Sequence, residues 1–471
     1  MPNCSRRTGR ARAARLLTLG LLLALTLPMA AAAAPLPETP AFDPAADGPC
    51  LAGDPFNLAK FADLVSGDLP PRGIQTINPD MTVEFVGRGE LLPADAEMPE
   101  EKPESGERDP DESSNPFYRQ AQLRLFNTRT LNEFRVVMNQ AMLEEIGDCH
   151  EKTGRRRGSP VSDPERAENA NALFLPITAG GSAASGMSAG FTGPASPAVS
   201  PDGWSNGVDT RKVRTPTTVW PWRAISQFRS SLSDEDSNCS GTLIGPRHLI
   251  TAAHCINAKG TNTWYTVRVT PGKNGVGTAA AQEPYGSSVI KVNPDPGDEA
   301  WYFTPEPWRN PATTGGQWDW GLIVIPDRLG DLTSWMGYVA RPGNDLRKAY
   351  QINRGYPACD TDRGNQPVNC QYSRLYGDTA ECQIGSFFAK GPDGWNRRFT
   401  VSCDLSAGHS GSPVYHYFYD PVLKAAWPVV AAVVTHESCY KCSPGDFFPN
   451  TARRITPGDL DTISWLREVF P

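Results

Sequence analysis

The sequence predicts an all-β fold that closes with a helix and is preceded by a partly helical N-terminal region. From about Asn206 onward short β-type runs dominate, at Val219 to Ile225, Ser240 to Ile244, Tyr265 to Val269, Ser288 to Val292, Leu322 to Ile325 and Val429 to Thr435. Gly, Pro and Asp clusters separate these runs, which is the pattern of a sandwich or barrel. Composition agrees: 39% hydrophobic residues with 43 Gly and 44 Pro suit a loop-rich β protein better than a helical bundle. At the C-terminus Thr456-Pro457-Gly458-Asp459 supplies an N-cap, a proline at the first helical position and an acid three residues after the cap. Leu460, Ile463, Leu466 and Val469 then recur as the buried stripe of a terminal helix.

A chain of 471 residues predicts two folded parts joined by linkers. Residues 1–34 read as a secretory signal peptide: Arg6, Arg7, Arg10, Arg12 and Arg15, the apolar run Leu16 to Leu27, then small residues from Ala30 to Ala34. The apolar run is too short to span a bilayer, so no membrane association is expected after its removal and the product is secreted, extracellular or periplasmic. A formal net charge of -7 provides no clustered basic face, which excludes nucleic acid as a partner class. Eleven Cys become an even set of ten once Cys4 leaves with the signal peptide, the signature of an oxidising compartment. Cys439 and Cys442 have a CxxC spacing but no second such pair, so disulfides are expected there and neither a metal nor another cofactor is.

Residues 35–205 read as a prosegment ahead of a domain spanning 206–471. Between Glu90 and Glu112 ten acidic residues face two basic ones among four prolines, the composition of a solvated linker. Phe134, Val137, Met138, Ala141, Met142 and Ile146 recur at three- and four-residue steps and predict an amphipathic helix ending near Gly147, whose apolar face needs a cover. From Glu151 to about Asp202 the chain is basic and then rich in Gly, Ala and Ser, an exposed and cleavable connector. A permanent accessory region is the alternative to a removable one. Cys50 and Cys149 flank this region and are a candidate pair.

Three segments carry chemistry. A serine hydroxyl becomes a nucleophile at neutral pH only with a base in reach, a carboxylate to orient that base, and donors for the developing oxyanion. Candidates for these roles are His254, following a β run and adjoining Cys255; Asp319, between Trp318 and Trp320 and ahead of Leu322 to Ile325; and Ser410 in Gly408-His409-Ser410-Gly411-Ser412-Pro413. Nearby decoys are weaker. His248 lies in the Gly-Pro-Arg turn, Asp327 follows Pro326 at a strand end, and Ser412 lacks the flanking glycines of Ser410.

The TAAHC, DWGLI and GHSGSP segments resemble the three catalytic motifs of the trypsin-like serine proteases, in that family's order. The resemblance implies a double β-barrel with the site between the barrels, His254 as general base, Asp319 as its orienter and Ser410 as nucleophile. It also implies an oxyanion hole from the backbone N–H groups of Gly408 and Ser410, and a disulfide between Cys239 and Cys255 bracing the histidine. The remaining six cysteines of the domain, Cys359, Cys370, Cys382, Cys403, Cys439 and Cys442, leave their connectivity open.

Within that group the sequence is similar to the bacterial glutamyl endopeptidases over most of residues 208–471. The resemblance rests on Asp209 to Ile225, Gly355-Tyr356-Pro357, Cys403-Asp404 and Arg454-Ile455-Thr456. Family members are made as proenzymes, which the resemblance extends to this chain. His409 stands where pancreatic-type enzymes carry an aspartate that pairs with the freed N-terminus, and the glutamyl endopeptidases also lack that aspartate. The substrate pocket is expected to involve Asp404, Thr435 and His436; Val434 occupies the place of the family's glutamate-selecting histidine. The expected activity is a monomeric serine endopeptidase acting on protein or peptide substrates. Its alternative, a catalytically silent homologue that binds a partner, is opposed by the complete set of three catalytic residues.

Overall fold

Alternating burial builds the first sheet of the computed structural model from its N-terminal end. The structure describes residues 57–92, 120–152, 209–229, 239–310, 315–359, 366–379, 381–391, 393–420, 425–437 and 449–471, all within one compact unit. The signal peptide, the connector, most of the acidic linker, Cys439 and Cys442 lie outside the described residues, as do the side chains of Cys50 and Cys149.

The N-terminal region comprises helix α1 (Leu58–Ser66), strands β1 (Ile74–Asn78), β2 (Met81–Arg88), β3 (Glu90–Leu92), β4 (Gln120–Asn127) and β5 (Asn132–Asn139), and helix α2 (Gln140–Lys152). The predicted helix beginning near Phe134 is corrected here. Its first half is β5, in which Phe134, Val136 and Met138 point inward at a period of two, and helix begins only at Gln140. Phe134 and Met138 fit both the three-four and the two-residue spacing, and pairing of β5 with β2 on one side and β4 on the other decides for strand. Glu90 to Leu92, predicted as linker, pair as β3 with a strand far along the chain.

The next strands are β6 (Arg211–Val213), β7 (Ile225–Arg229), β8 (Cys239–Leu243), β9 (His248–Thr251), β10 (Thr263–Tyr265), β11 (Arg268–Pro271), β12 (Ser288–Val289), β13 (Trp301–Pro305) and β14 (Gly321–Val324). Part of the predicted Val219 to Ile225 strand is a 3-10 turn at Trp222–Ala224, and pairing starts only at Ile225. After these come β15 (Gly337–Tyr338), β16 (Ile352–Asn353), β17 (Tyr376–Asp378), β18 (Ile384–Lys390), β19 (Asn396–Val401), β20 (Pro413–Asp420), β21 (Ala425–His436) and β22 (Thr451–Arg454), and finally helix α3 (Pro457–Val469).

The largest sheet runs β1-β2-β5-β4-β13-β14-β9-β8-β7-β11-β12 and the second sheet β16-β20-β21-β22-β19-β18, with β15 on β21, while β10-β3 and β17-β6 are separate two-stranded sheets. Both are chiefly antiparallel; β3 on β10 and β15 on β21 are parallel pairs. The segment from β7 to β14 supplies the first barrel of a trypsin-like double β-barrel, and the second sheet supplies the other. Strands β7, β8, β9 and β14 are buried along their whole length, because both faces are covered.

Helix α3 begins as expected. The Thr456 side chain accepts from the Asp459 backbone, and the Asp459 side chain accepts from the Thr456 backbone. Leu460, Ile463, Leu466 and Val469 are buried. The α3 end of the core continues into the N-terminal region: Phe61 of α1 meets Trp465 edge-on at 5.0 Å and Phe470 at 6.3 Å. Burial of a side chain as large as Phe61 stabilises the fold by roughly 1.5–3 kcal/mol.

Candidate active site

Strand β9 delivers His254 through the buried pair Ala252 and Ala253 into a single 3-10 turn, Ala253–Cys255. A disulfide from Cys255 to Cys239 ties that turn to the start of β8. Asp319 follows the 3-10 turn Gly315–Trp318, immediately before β14, and is fully buried. The His254 backbone N–H donates to Asp319 Oδ1 at 3.0 Å, and His254 Nδ1 lies 2.7 Å from Oδ2. A carboxylate accepts, so Nδ1 carries the proton and Nε2 keeps its lone pair. The His254 side chain remains 17% exposed, which leaves the imidazole open to solvent and substrate.

Ser410 sits in a tight loop that tolerates few residues. Gly408 has φ 91°, and a Cβ there would lie 2.4 Å from the Tyr356 carbonyl oxygen. Gly411 has φ 77°, and its Cβ would meet Thr251 Oγ1 at 2.1 Å. The Gly411 N–H donates to the Val434 carbonyl at 2.7 Å and the Val434 N–H donates to the Ser412 carbonyl at 2.9 Å. These bonds bring the end of β21, with Thr435 and His436, against the serine loop. Among the described residues the buried Thr435 hydroxyl has no hydrogen-bond partner.

Sequence reasoning missed the residue that joins this loop to the first barrel. Ser240 of β8 donates its backbone N–H to the Ser410 carbonyl at 2.7 Å and its hydroxyl to the Gly408 carbonyl at 2.8 Å. The same hydroxyl accepts from the Tyr356 N–H at 2.8 Å. Adjacent to Cys239, Ser240 belongs to the brace that also holds the histidine; a serine directly beside that cysteine was the available signal.

Thr210 and Arg211 were also missed. The Thr210 N–H and hydroxyl donate to Asp404 Oδ2 at 2.8 and 2.9 Å, and the Asp404 N–H donates to Asp378 Oδ2 at 3.1 Å. Burial, followed by the Asp404 carboxylate, pushes the Asp378 carboxyl up to about 8. Arg211 pairs with Asp209 and donates to Ser406 Oγ at 2.6 Å. Ser406 Oγ in turn lies 3.3 Å from His409 Nδ1. Burial and the Arg211 charge hold His409 well below the usual histidine range, so the residue preceding the serine is a neutral packing group.

The decoys are placed elsewhere. His248 begins β9 rather than lying in a turn, and burial pushes it well below the usual histidine range. Asp327 is exposed beyond β14. Ser412 Oγ accepts from Asn353 Nδ2 at 2.7 Å. Two further disulfides, Cys359 to Cys370 and Cys382 to Cys403, resolve part of the open connectivity. Two cysteine-containing clusters, around His254 and around Asp378, are built on disulfide sulfurs, which offer no thiolate to a metal. No helix among the described residues is long and apolar enough to cross a membrane.

Residues 210–373 match the Trypsin family model, in keeping with the two barrels of a trypsin-like fold. Similarity within that group runs to the glutamyl endopeptidases. The chain is 28% identical over 212 residues to a glutamyl endopeptidase of Bacillus licheniformis, across 44% of this chain and 54% of that protein. It is 24% identical over 216 residues to an extracellular metalloprotease of Bacillus subtilis, across 45% and 58%. The chain therefore spans about half the length of the curated relatives it matches. A solved structure of Glu endopeptidase in complex with MPD is 19% identical with a TM-score of 0.38, covering 55% of this chain and 98% of that one.

Proposed function

We propose that this chain is a secreted serine endopeptidase, made as a proenzyme and acting as a monomer on protein or peptide substrates. In this reading residues 1–34 are the signal peptide, 35–205 the N-terminal prosegment and 206–471 the protease domain. The observation that carries it is the double attachment of His254 to the buried Asp319, which orients the imidazole and fixes its tautomer before substrate arrives.

Ser410 Oγ attacks the scissile carbonyl as His254 Nε2 takes its proton. The backbone N–H groups of Gly408 and Ser410 face the developing oxyanion, and Asp319 stabilises the imidazolium. Collapse transfers that proton to the leaving amine and leaves an acyl-Ser410 ester. Water, deprotonated by the same histidine, then releases the acid product. Thr435 and His436, brought beside the loop by β21, line the pocket for the residue preceding the cleaved bond, and Asp404 lies buried in the segment that leads to Ser410.

A serine-directed phosphonate should label the processed protein on Ser410 and leave the Ser410→Ala variant unlabelled. No labelling above that control defeats the assignment. Cleavage of a peptide library by the same preparation reports the preferred residue.

A further inference from the structure

The N-terminal region is built into the first barrel. Strand β4 pairs antiparallel with β13 from Asn127↔Trp301 to Leu123↔Pro305, so the barrel sheet continues without a break into β5, β2 and β1. On another side β3 pairs in parallel with β10, the strand that follows the His254 turn. Phe126 stacks on Trp264 at 5.1 Å and on Tyr302 at 6.1 Å, and these three rings are almost wholly buried.

Charges cross the same boundary. Arg124 makes a two-pronged bond to Glu306, at 2.8 and 2.6 Å. Glu133, with a side chain only 3% exposed, lies 3.4 Å from Arg309 and accepts from the Trp264 indole N–H. Separation would leave β13 as an open edge, bare Trp264, Tyr302 and Trp465, and deprive Glu306 and Arg309 of partners from the other side. Central aromatic anchors, a fork-shaped arginine pair and strand continuity are the features of an obligate interface.

We infer that the N-terminal region stays bound to the protease domain after the connector is cut, as a tightly held second fragment of the active protein. This rests on the proenzyme reading and replaces release of the prosegment with its retention. Cleavage then changes the covalent continuity of the chain and leaves its core intact.

The test uses the full chain with a sequence-specific protease site introduced between residues 153 and 208, cut to completion and passed over a sizing column at ~1 µM. Both fragments should co-elute, with the phosphonate label on the C-terminal one. A folded, labelled C-terminal fragment eluting alone overturns the inference. Urea gives a second reading on the same cut material: fragment separation should coincide with unfolding of the protease domain, and separation at lower urea with labelling retained also overturns it. Arg124→Ala and Phe126→Ala should each weaken association by roughly 30-fold, the size of an interface hot spot; unchanged association for both counts against it. Co-elution is read by mass, so a complex that forms but takes no label sinks the protease reading alone.

Discussion

Thr210 binds Asp404 twice, through its backbone N–H and through its hydroxyl, both to the same carboxylate oxygen. This joins the start of the described segment 209–229 to the segment leading to Ser410. It also turns Asp404, only 1% exposed, toward an internal partner.

The consequence concerns specificity. Were Asp404 the selector of basic residues, Asp404→Asn would shift cleavage away from lysine and arginine. The geometry instead predicts an unchanged ranking of preferred residues in a peptide library. A stability loss of about 1–3 kcal/mol should accompany it, since a charge-assisted buried bond is weakened.

Asp378 lies behind the same pair. Its carboxyl titrates at about 8 in the folded protein against ~3.9 for an unfolded chain. Between those values the folded state holds the extra proton, so this group's contribution favours folding below ~4 and is lost as pH rises toward 8. A protonated Asp378 can donate to Thr210 Oγ1, 3.4 Å away. Asp378→Asn keeps a donor there and cannot ionise. Thermal midpoints measured between pH 5 and 8 should therefore decline less steeply with pH for the variant, with the gain over wild type largest at pH 8.

Ser240→Ala should act on turnover more than on binding. It deletes a hydroxyl that supports both the Gly408 carbonyl and the Tyr356 N–H, without touching substrate. Loosening of the Ser410 loop is expected to lower kcat by roughly 10–100-fold with KM little changed, since small misplacements of reacting groups cost about that much. Equal kcat in variant and wild type would assign Ser240 to packing alone.

Asp319→Asn should retain the fold and lower kcat by about 10⁴-fold, because an amide can hold His254 with the wrong nitrogen protonated. His254→Ala should be comparably inactive, and the double variant scarcely worse than either single one, since the residues act as a unit. Steady-state rates on one peptide substrate, with circular dichroism to check folding, provide the comparison.

The features legible in the sequence were those written in neighbouring residues. TAAHC, DWGLI and GHSGSP singled out His254, Asp319 and Ser410 as candidates, of which the fold joins His254 to Asp319, and the Thr456 capping box with its stripe placed α3, because capping and helix periodicity act within a few positions. Short β runs announced the barrel strands, although the 3-10 turn at Trp222–Ala224 showed that β-type residues alone do not start a strand.

Other features depended on partners far along the chain. Phe134 to Met138 satisfied both a helical and a strand period, and only the flanking strands β2 and β4 resolved the conflict. Thr210 reaches Asp404 across 194 residues and Ser240 reaches Gly408 across 168. By itself the sequence determined the chemistry offered at three positions and the local propensities around them. The tertiary structure decided which buried donors hold the serine loop and that the N-terminal region extends the sheet of the first barrel. Hydrogen bonds and sheet edges between distant segments leave no periodic trace in sequence, because each depends on a backbone group or a single side chain whose partner is chosen only when the chain folds.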